Sequence, residues 1–208
     1  MSPEGMFITF EGIDGSGKST QAKLLAEKLS HQGHDVVLTR EPGGSTGAEQ
    51  IRTLVLQGDP DRWSAETEIL LFTAARRDHM ETLILPALQN GQIVICDRFT
   101  DSTRVYQGLR RDDLRGIVDT LTALMIQQEP DLTLLIDMDP NTGHSRAKAR
   151  ATKEERFEDF GVPLQEKIRT GFKKLAQEFN NRVHVIDGNQ DVNSVHAIVY
   201  DLVQDSMK

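Results

Sequence analysis

The run Gly12-Ile13-Asp14-Gly15-Ser16-Gly17-Lys18-Ser19 contains the residue types that a chain of phosphates requires. Glycines let the backbone turn so that successive N–H groups point inward at phosphate oxygens. A lysine just beyond them can reach the β- and γ-phosphates, and a serine hydroxyl can ligate Mg²⁺. The spacing is that of a P-loop, G-x-x-x-x-G-K-[ST]. It follows the apolar run Met6–Phe10 and opens a helical pattern at Lys18, where the helix dipole favours anions. Gly12 through Thr20 are therefore the candidate contacts for a nucleoside triphosphate, with Lys18 the candidate catalytic cation. A glycine-rich turn with an accidental lysine is the bland alternative, and the strand-before, helix-after context speaks against it. The motif is silent on what the triphosphate is used for.

Three further groups bear on that use. Ile93-Val94-Ile95-Cys96 ends in Asp97-Arg98-Phe99. An acid at the carboxyl end of an apolar strand sits on the ligand edge of an α/β sheet, so Asp97 joins Ser19 as a candidate for the metal. Arg98 can offer a bidentate fork to a second phosphate, although a strand-end Asp-Arg surface pair would look the same. Thr39-Arg40-Glu41-Pro42-Gly43-Gly44 follows another strand pattern and brings Arg40 to the same edge, or is simply a loop that stops an element. Arg146, Lys148 and Arg150 form a basic run; if it is helical, Arg146 and Arg150 share a face. They could neutralise a transferring phosphoryl group, or form a solvated face. The guanine-reading N-K-x-D pattern is absent.

Five short apolar runs must position these residues: Met6–Phe10, Val36–Thr39, Ile93–Cys96, Leu132–Ile136 and Val183–Ile186. Most are apolar throughout, which suits strands covered on both faces of a parallel sheet. Helical patterns separate them. Ala22, Leu25, Ala26 and Leu29 share one face, Asp139-Pro140 reads as an N-cap and first helical residue, and Val195, Ile198, Val199 and Leu202 repeat the one-sided spacing. The expected fold is α/β: a three-layer, doubly wound five-stranded parallel sheet with helices on both faces, of the P-loop NTPase type. One domain, 1–208, is expected. Leu56–Glu66 and Ser145–Arg156 read as mobile inserts, the second within a lid at about 143–158.

Composition limits the partners. With 32 acidic against 24 basic residues and a net charge of −8, a general nucleic-acid binder is disfavoured, since its affinity needs clustered positive charge. No apolar run approaches the roughly 20 residues of a membrane span, and there is no leader pattern. The single cysteine, Cys96, cannot form an intramolecular disulfide, which suits the cytoplasm.

Taken together, the motifs resemble the bacterial thymidylate kinase family over nearly the whole chain. The residues that carry the likeness are Glu11–Thr20, Thr39–Gly44, Leu71-Phe72-Thr73-Ala74-Ala75-Arg76-Arg77, Asp97-Arg98-Phe99, Ser102-Thr103, Tyr106-Gln107-Gly108 and Arg156-Phe157-Glu158. The resemblance implies Mg²⁺-dependent transfer of the ATP γ-phosphate to dTMP by a homodimer. It implies that Phe72 stacks on thymine, Arg76 bonds a base carbonyl, Thr103 faces the N3 edge and Tyr106 crowds the sugar 2′ position. Asp14 would contact the 3′-hydroxyl or help order the metal and acceptor. Arg40, Glu41, Pro42, Arg98, Ser102 and Gln107 complete the implied acceptor site, and Lys18, Arg98, Asp14, Arg150 and Arg146 the catalytic set. Gly15 stands where some relatives carry arginine, which matches the class whose lid supplies the basic groups. Phe99, Arg104-Val105 and Ala151 depart from the commonest pattern. Another nucleotide or nucleoside kinase, or a switch without turnover, is the competing expectation.

Overall fold

The computed structural model describes residues 5–59, 61–111, 113–149 and 161–207. Five parallel strands form one sheet: β1 (Met6–Glu11), β2 (Val36–Arg40), β3 (Ile93–Asp97), β4 (Leu132–Asp137) and β5 (Val183–Asp187), in the order β2-β3-β1-β4-β5. The three central strands are the ones buried throughout, as their unbroken apolar runs require. The outer two are half covered, with Leu38 on β2 and Val185 on β5 open to solvent. Alternate residues of β1 feed opposite layers. Ile8 and Phe10 meet Leu25 and Leu29 of α1 (Lys18–His31) and Val195, Val199 and Val203 of α9 (Val192–Ser206). Phe7 faces the other way, among Met80, Ile84, Val94 and Phe99. Beside it, Ile13 and Leu135 pack on Ile168 and Phe172 of α8 (Gly161–Glu178). Three layers result. Leu25 is completely buried, so Leu25→Ala should cost about 2–5 kcal/mol.

The remaining helices are α2 (Thr46–Leu56), α3 (Ala65–His79), α4 (Leu85–Gln89), α5 (Thr100–Tyr106), α6 (Leu114–Leu121) and α7 (Pro140–Lys148). One π-helical turn, Met80–Ile84, joins α3 to α4, and another, Thr122–Ile126, extends α6. Asp139 caps α7 as its sequence suggests, its carboxylate accepting from Thr142 N at 3.0 Å. Three expectations need correction. The buried stripe of α9 is Val195, Val199 and Val203, while Ile198 faces outward, because a spacing of four follows the helix face here and the odd member falls off it. Leu56–Glu66 is not one loose insert: Leu56 closes α2, Ala65-Glu66 open α3, and Trp63 Nε1 donates to Leu54 O between them. Ser145–Lys148 belongs to α7, where Ala147 is buried. The rest of that basic run from residue 150, with Arg150, Ala151 and Arg156-Phe157-Glu158, lies outside the described residues.

Every strand runs one residue past its apolar core and ends on a charge: Glu11, Arg40, Asp97, Asp137 and Asp187. Parallel pairing sets Arg40 and Phe10 on either side of Asp97. The charged ends therefore lie along one edge of the sheet, where the phosphate chemistry was expected.

Candidate active site

The P-loop turn is shaped by what its glycines must avoid. Gly12, Gly15 and Gly17 all have positive φ. A Cβ on Gly12 would lie 2.5 Å from Ile136 O, and one on Gly15 only 2.0 Å from Gly143 O on α7. No side chain fits at 15 while α7 packs this close, so position 15 itself cannot supply a basic group to phosphates. Lys18 Nζ donates to Ile13 O at 2.7 Å. Burial, aided by neighbouring Arg98, brings its pKa down to about 8. Ile13 contributes that carbonyl; its side chain belongs to the core.

Asp97 holds Ser19, whose hydroxyl donates to Asp97 Oδ2. Asp97 Oδ1 is buried without a partner among the described residues. A hydroxyl oxygen beside an unspent carboxylate oxygen is a hard donor set that fits Mg²⁺ when phosphate oxygens and water complete the shell.

Arg98 follows Asp97 with φ 70, an uncommon conformation for a side chain of this size. Glu11 braces the turn from below: Oε1 accepts from Phe99 N at 2.8 Å and Ser102 N at 3.2 Å, and Oε2 from Ser102 Oγ at 2.6 Å. Burial and nearby Asp101 push the Glu11 carboxyl upward. The Arg98 fork is turned inward. Nη1 donates to Gly12 O and Ser102 Oγ, and Nη2 to Asp14 Oδ1 at 2.5 Å and Tyr106 O–H at 3.3 Å. The bidentate grip on a phosphate expected from sequence is thus already spent on Asp14 and its neighbours. Positive charge and the Nε–H remain for an anion. Tyr106 in turn donates to Asp14 Oδ2 at 3.1 Å. Burial alone would raise Asp14, but Arg98 and Lys18 outweigh it and hold the carboxyl below its usual range.

Three adjoining cavities share these residues. One is lined by Phe72, Arg76, Ser102, Thr103, Tyr106 and Gln107, together with Asp14, Arg98, Glu41 and Pro42. A second, of about 480 Å³, runs from Gly15–Gly17, Ser19 and Thr20 past Arg146 to Gln190, Asp191 and Val192. The third joins them and is lined by Lys18, Ser19, Arg40, Asp97 and Arg98. Arg76 is fixed in the first cavity by Glu41 Oε2 at 2.6 Å and Thr103 Oγ1 at 3.1 Å, with its guanidinium 5.0 Å from the Phe99 ring. His79 stands behind Glu41, 3.1 Å from Oε1, and reaches Thr39 Oγ1 at 2.8 Å. A Cβ on Gly44 would strike His79 Nε2 at 2.3 Å, which accounts for the Pro-Gly-Gly run. Arg40 lines the junction but also pairs with Glu49 at 2.9 Å in an exposed setting.

A family model described as thymidylate kinase matches residues 10–199. The chain belongs to the thymidylate kinase family. It is 70% identical over 203 residues to the thymidylate kinase of Ruegeria pomeroyi, covering 98% of this chain and 96% of that one. It is 61% identical over 199 residues to that of Dinoroseobacter shibae, covering 96% of both. The crystal structure of thymidylate kinase from Ehrlichia chaffeensis superposes with a TM-score of 0.77 at 40% identity, covering 97% of this chain and 99% of the other.

Among the described candidates, all but Gly12 and Ile13 line one of the three cavities. Asp14 lines the first cavity and the junction, not the second cavity beside the rest of the P-loop. Arg104 turns away from the site into Asp101, Asp119 and Glu129, and Val105 packs against Gly171, so this departure from the common pattern leaves the pocket wall alone. Phe99, lacking a hydroxyl, packs edge-on against Phe7 at 4.9 Å. Among the lining residues that escaped sequence reasoning are Arg52, which donates to Pro42 O and lines two cavities, and Gln190, Asp191 and Val192 of the second cavity. The strand-edge rule that singled out Asp97 reaches the last three as well, because they follow β5. Arg52 had no signal of its own.

Proposed function

We propose that this chain, a phosphotransferase of the thymidylate kinase family, moves the γ-phosphate of ATP onto the phosphate of dTMP, giving ADP and dTDP. One observation carries the proposal. The junction cavity is lined by Lys18 and Ser19 from the P-loop and by Arg40, Arg98 and Asp97 from the ends of β2 and β3. A triphosphate tail and a monophosphate can meet there end to end, which a nucleotide switch has no need of.

The acceptor is already an anion at neutral pH, so no strong general base is required. What remains is to align two repelling polyanions and stabilise the equatorial oxygens. Lys18 and the P-loop amides hold the donor phosphates, and Arg146 and Arg150 add charge from the lid side. Arg40 and Arg98 attract the acceptor phosphate, while Phe72, Arg76 and Thr103 take the base and Tyr106 the sugar. Asp14, braced by Arg98 and Tyr106, is placed to meet a sugar hydroxyl. Ser19 and Asp97 would hold Mg²⁺, which when bound would offset phosphate charge.

Purified chain supplied with ATP, Mg²⁺ and a panel of dTMP, dUMP, dCMP and thymidine should release ADP fastest with dTMP. Turnover of thymidine instead would make it a nucleoside kinase, and silence with every acceptor would favour a switch. We further take the protein to be a cytoplasmic homodimer. Leu70 on α3 and Leu124 beyond α6 are 59% and 61% exposed, and Ile117 and Met125 of the adjoining helical segments are exposed as well. Sedimentation velocity should give a dimer, and Leu70→Glu a monomer; a monomeric wild type rules the dimer out. Among the described residues no helix is long and apolar enough to cross a membrane.

A further inference from the structure

Glu68 on α3 is 1% exposed. Its Oε2 accepts from Gln107 Nε2 at 3.1 Å and from Arg110 Nη1 at 3.0 Å. A carboxylate only accepts, so Gln107 must turn its amide nitrogen toward Glu68. The two ends of a glutamine amide differ in hydrogen-bond sense alone; orienting one end orients the other. Gln107 is itself 2% exposed and lines the acceptor cavity. Among the described residues no protein donor reaches its Oε1. The chain also bends tightly just after it, since a Cβ on Gly108 would lie 2.1 Å from Arg104 O. Backbone and side chain are thus both held.

One helical turn before Gln107 the hydrogen-bond senses are equally constrained. Glu41 keeps Arg76 in place, and Thr103 Oγ1 accepts from Arg76 Nη2. The Thr103 hydroxyl hydrogen is then left to donate, which suits a carbonyl better than an N–H. Its oxygen keeps one lone pair, but the stronger acceptor for an N3–H is an amide carbonyl. Gln107 Oε1 supplies one.

We infer that Glu68 is a specificity-determining positioning residue: by drawing the Gln107 nitrogen away from the cavity, it leaves Oε1 as an acceptor for the N3–H of thymine and sets the preference over cytosine. The inference rests on the dTMP kinase reading of the site. Thymine offers carbonyl, N–H and carbonyl along this edge, whereas cytosine replaces one carbonyl with an amino donor and the N3–H with a bare acceptor. The donor Arg76 and the acceptor Gln107 match the first pattern and oppose the second. Released from Glu68, Gln107 could flip and offer its nitrogen to cytosine N3. Arg110 balances the Glu68 charge from the solvent side and takes no part in reading the base.

The test compares kcat/KM for dTMP and dCMP in wild type, Glu68→Leu and Glu68→Asp, with folding checked by thermal melting. Wild type should prefer dTMP; failure there removes the dTMP reading itself. In Glu68→Leu, which has no acceptor for the Gln107 nitrogen, the dTMP-to-dCMP ratio should fall at least about tenfold, the worth of one base hydrogen bond, mainly through a higher dTMP KM and less through kcat. Glu68→Asp, still acceptor-only, should keep most of the preference. A Glu68→Leu enzyme with wild-type preference and dTMP KM, or one whose rates with both substrates fall in equal proportion, overturns the role of Glu68 and leaves the dTMP reading standing. If Glu68→Leu does not fold, a crystal structure of wild type with dTMP decides. Gln107 Oε1 should face N3 while Nε2 keeps its contact with Glu68; a base that leaves Gln107 untouched overturns the inference.

Discussion

Glu41 offers the sharpest test of how the site is held. Its carboxylate binds Arg76 Nε at 2.6 Å, and the two side chains are 3% and 4% exposed. Removing the carboxylate strands a guanidinium almost out of reach of water. Breaking a buried pair in that way costs about 3–5 kcal/mol, far more than the pair's net worth, because the remaining charge is left uncompensated. In a chain of this length each kcal/mol lowers Tm by about 2–4 °C, so Glu41→Ala should melt about 6–20 °C below wild type. The functional effect is separate. Arg76, no longer anchored, loses its aim at the base. Loss of a charged hydrogen bond of about 1.5–3 kcal/mol corresponds to about a 10- to 150-fold rise in the dTMP KM. On the proposed assignment ATP binds away from Arg76, and its KM should move far less. Glu41→Gln keeps one carbonyl acceptor for Arg76 and should fall between the two. Thermal unfolding followed by circular dichroism, with initial rates against dTMP at saturating ATP, measures both effects. A Glu41→Ala protein melting within about 2 °C of wild type, less than 1 kcal/mol at this size, would refute the burial reasoning. Unchanged dTMP KM in a folded variant would refute the link from Glu41 through Arg76 to the base.

The other predictions are more compact. Burial brings Lys18 down to about 8, so it carries its charge below that pH and loses it above; kcat/KM for ATP, which reports the free enzyme, should decline as pH rises through about 8. A profile flat to pH 10 would contradict the assignment. Phe72→Ala should raise the dTMP KM about 2- to 10-fold, the scale of one stacking contact, with kcat little changed; unaltered dTMP binding by calorimetry would remove the stacking role. Arg150→Ala should lower kcat about 10²- to 10³-fold, as loss of one transition-state donor does, while dTMP affinity is kept. An unchanged rate would take Arg150 out of the mechanism.

Much of this protein is local in origin. The P-loop, the five apolar runs and the Asp139-Pro140 cap state their structure in adjacent residues, because turn geometry, strand burial and capping depend on neighbours along the chain. Arg40 and Asp97 were legible for the same reason: the end of a parallel strand is a position in sequence as well as in space. The hydrogen-bond senses were not. Nothing in the order of residues indicates that Arg98 spends its fork on Gly12, Ser102, Asp14 and Tyr106, that Glu68 reaches Gln107 across 39 positions, or that Gly143 closes on Gly15. Those contacts join α3, α5, α7 and the P-loop, elements brought together only by packing on the sheet. The sequence alone determined which chemical groups stand at the ligand edge. Tertiary structure decided which of them are already committed to one another, because a buried donor must find its acceptor wherever the fold has placed one.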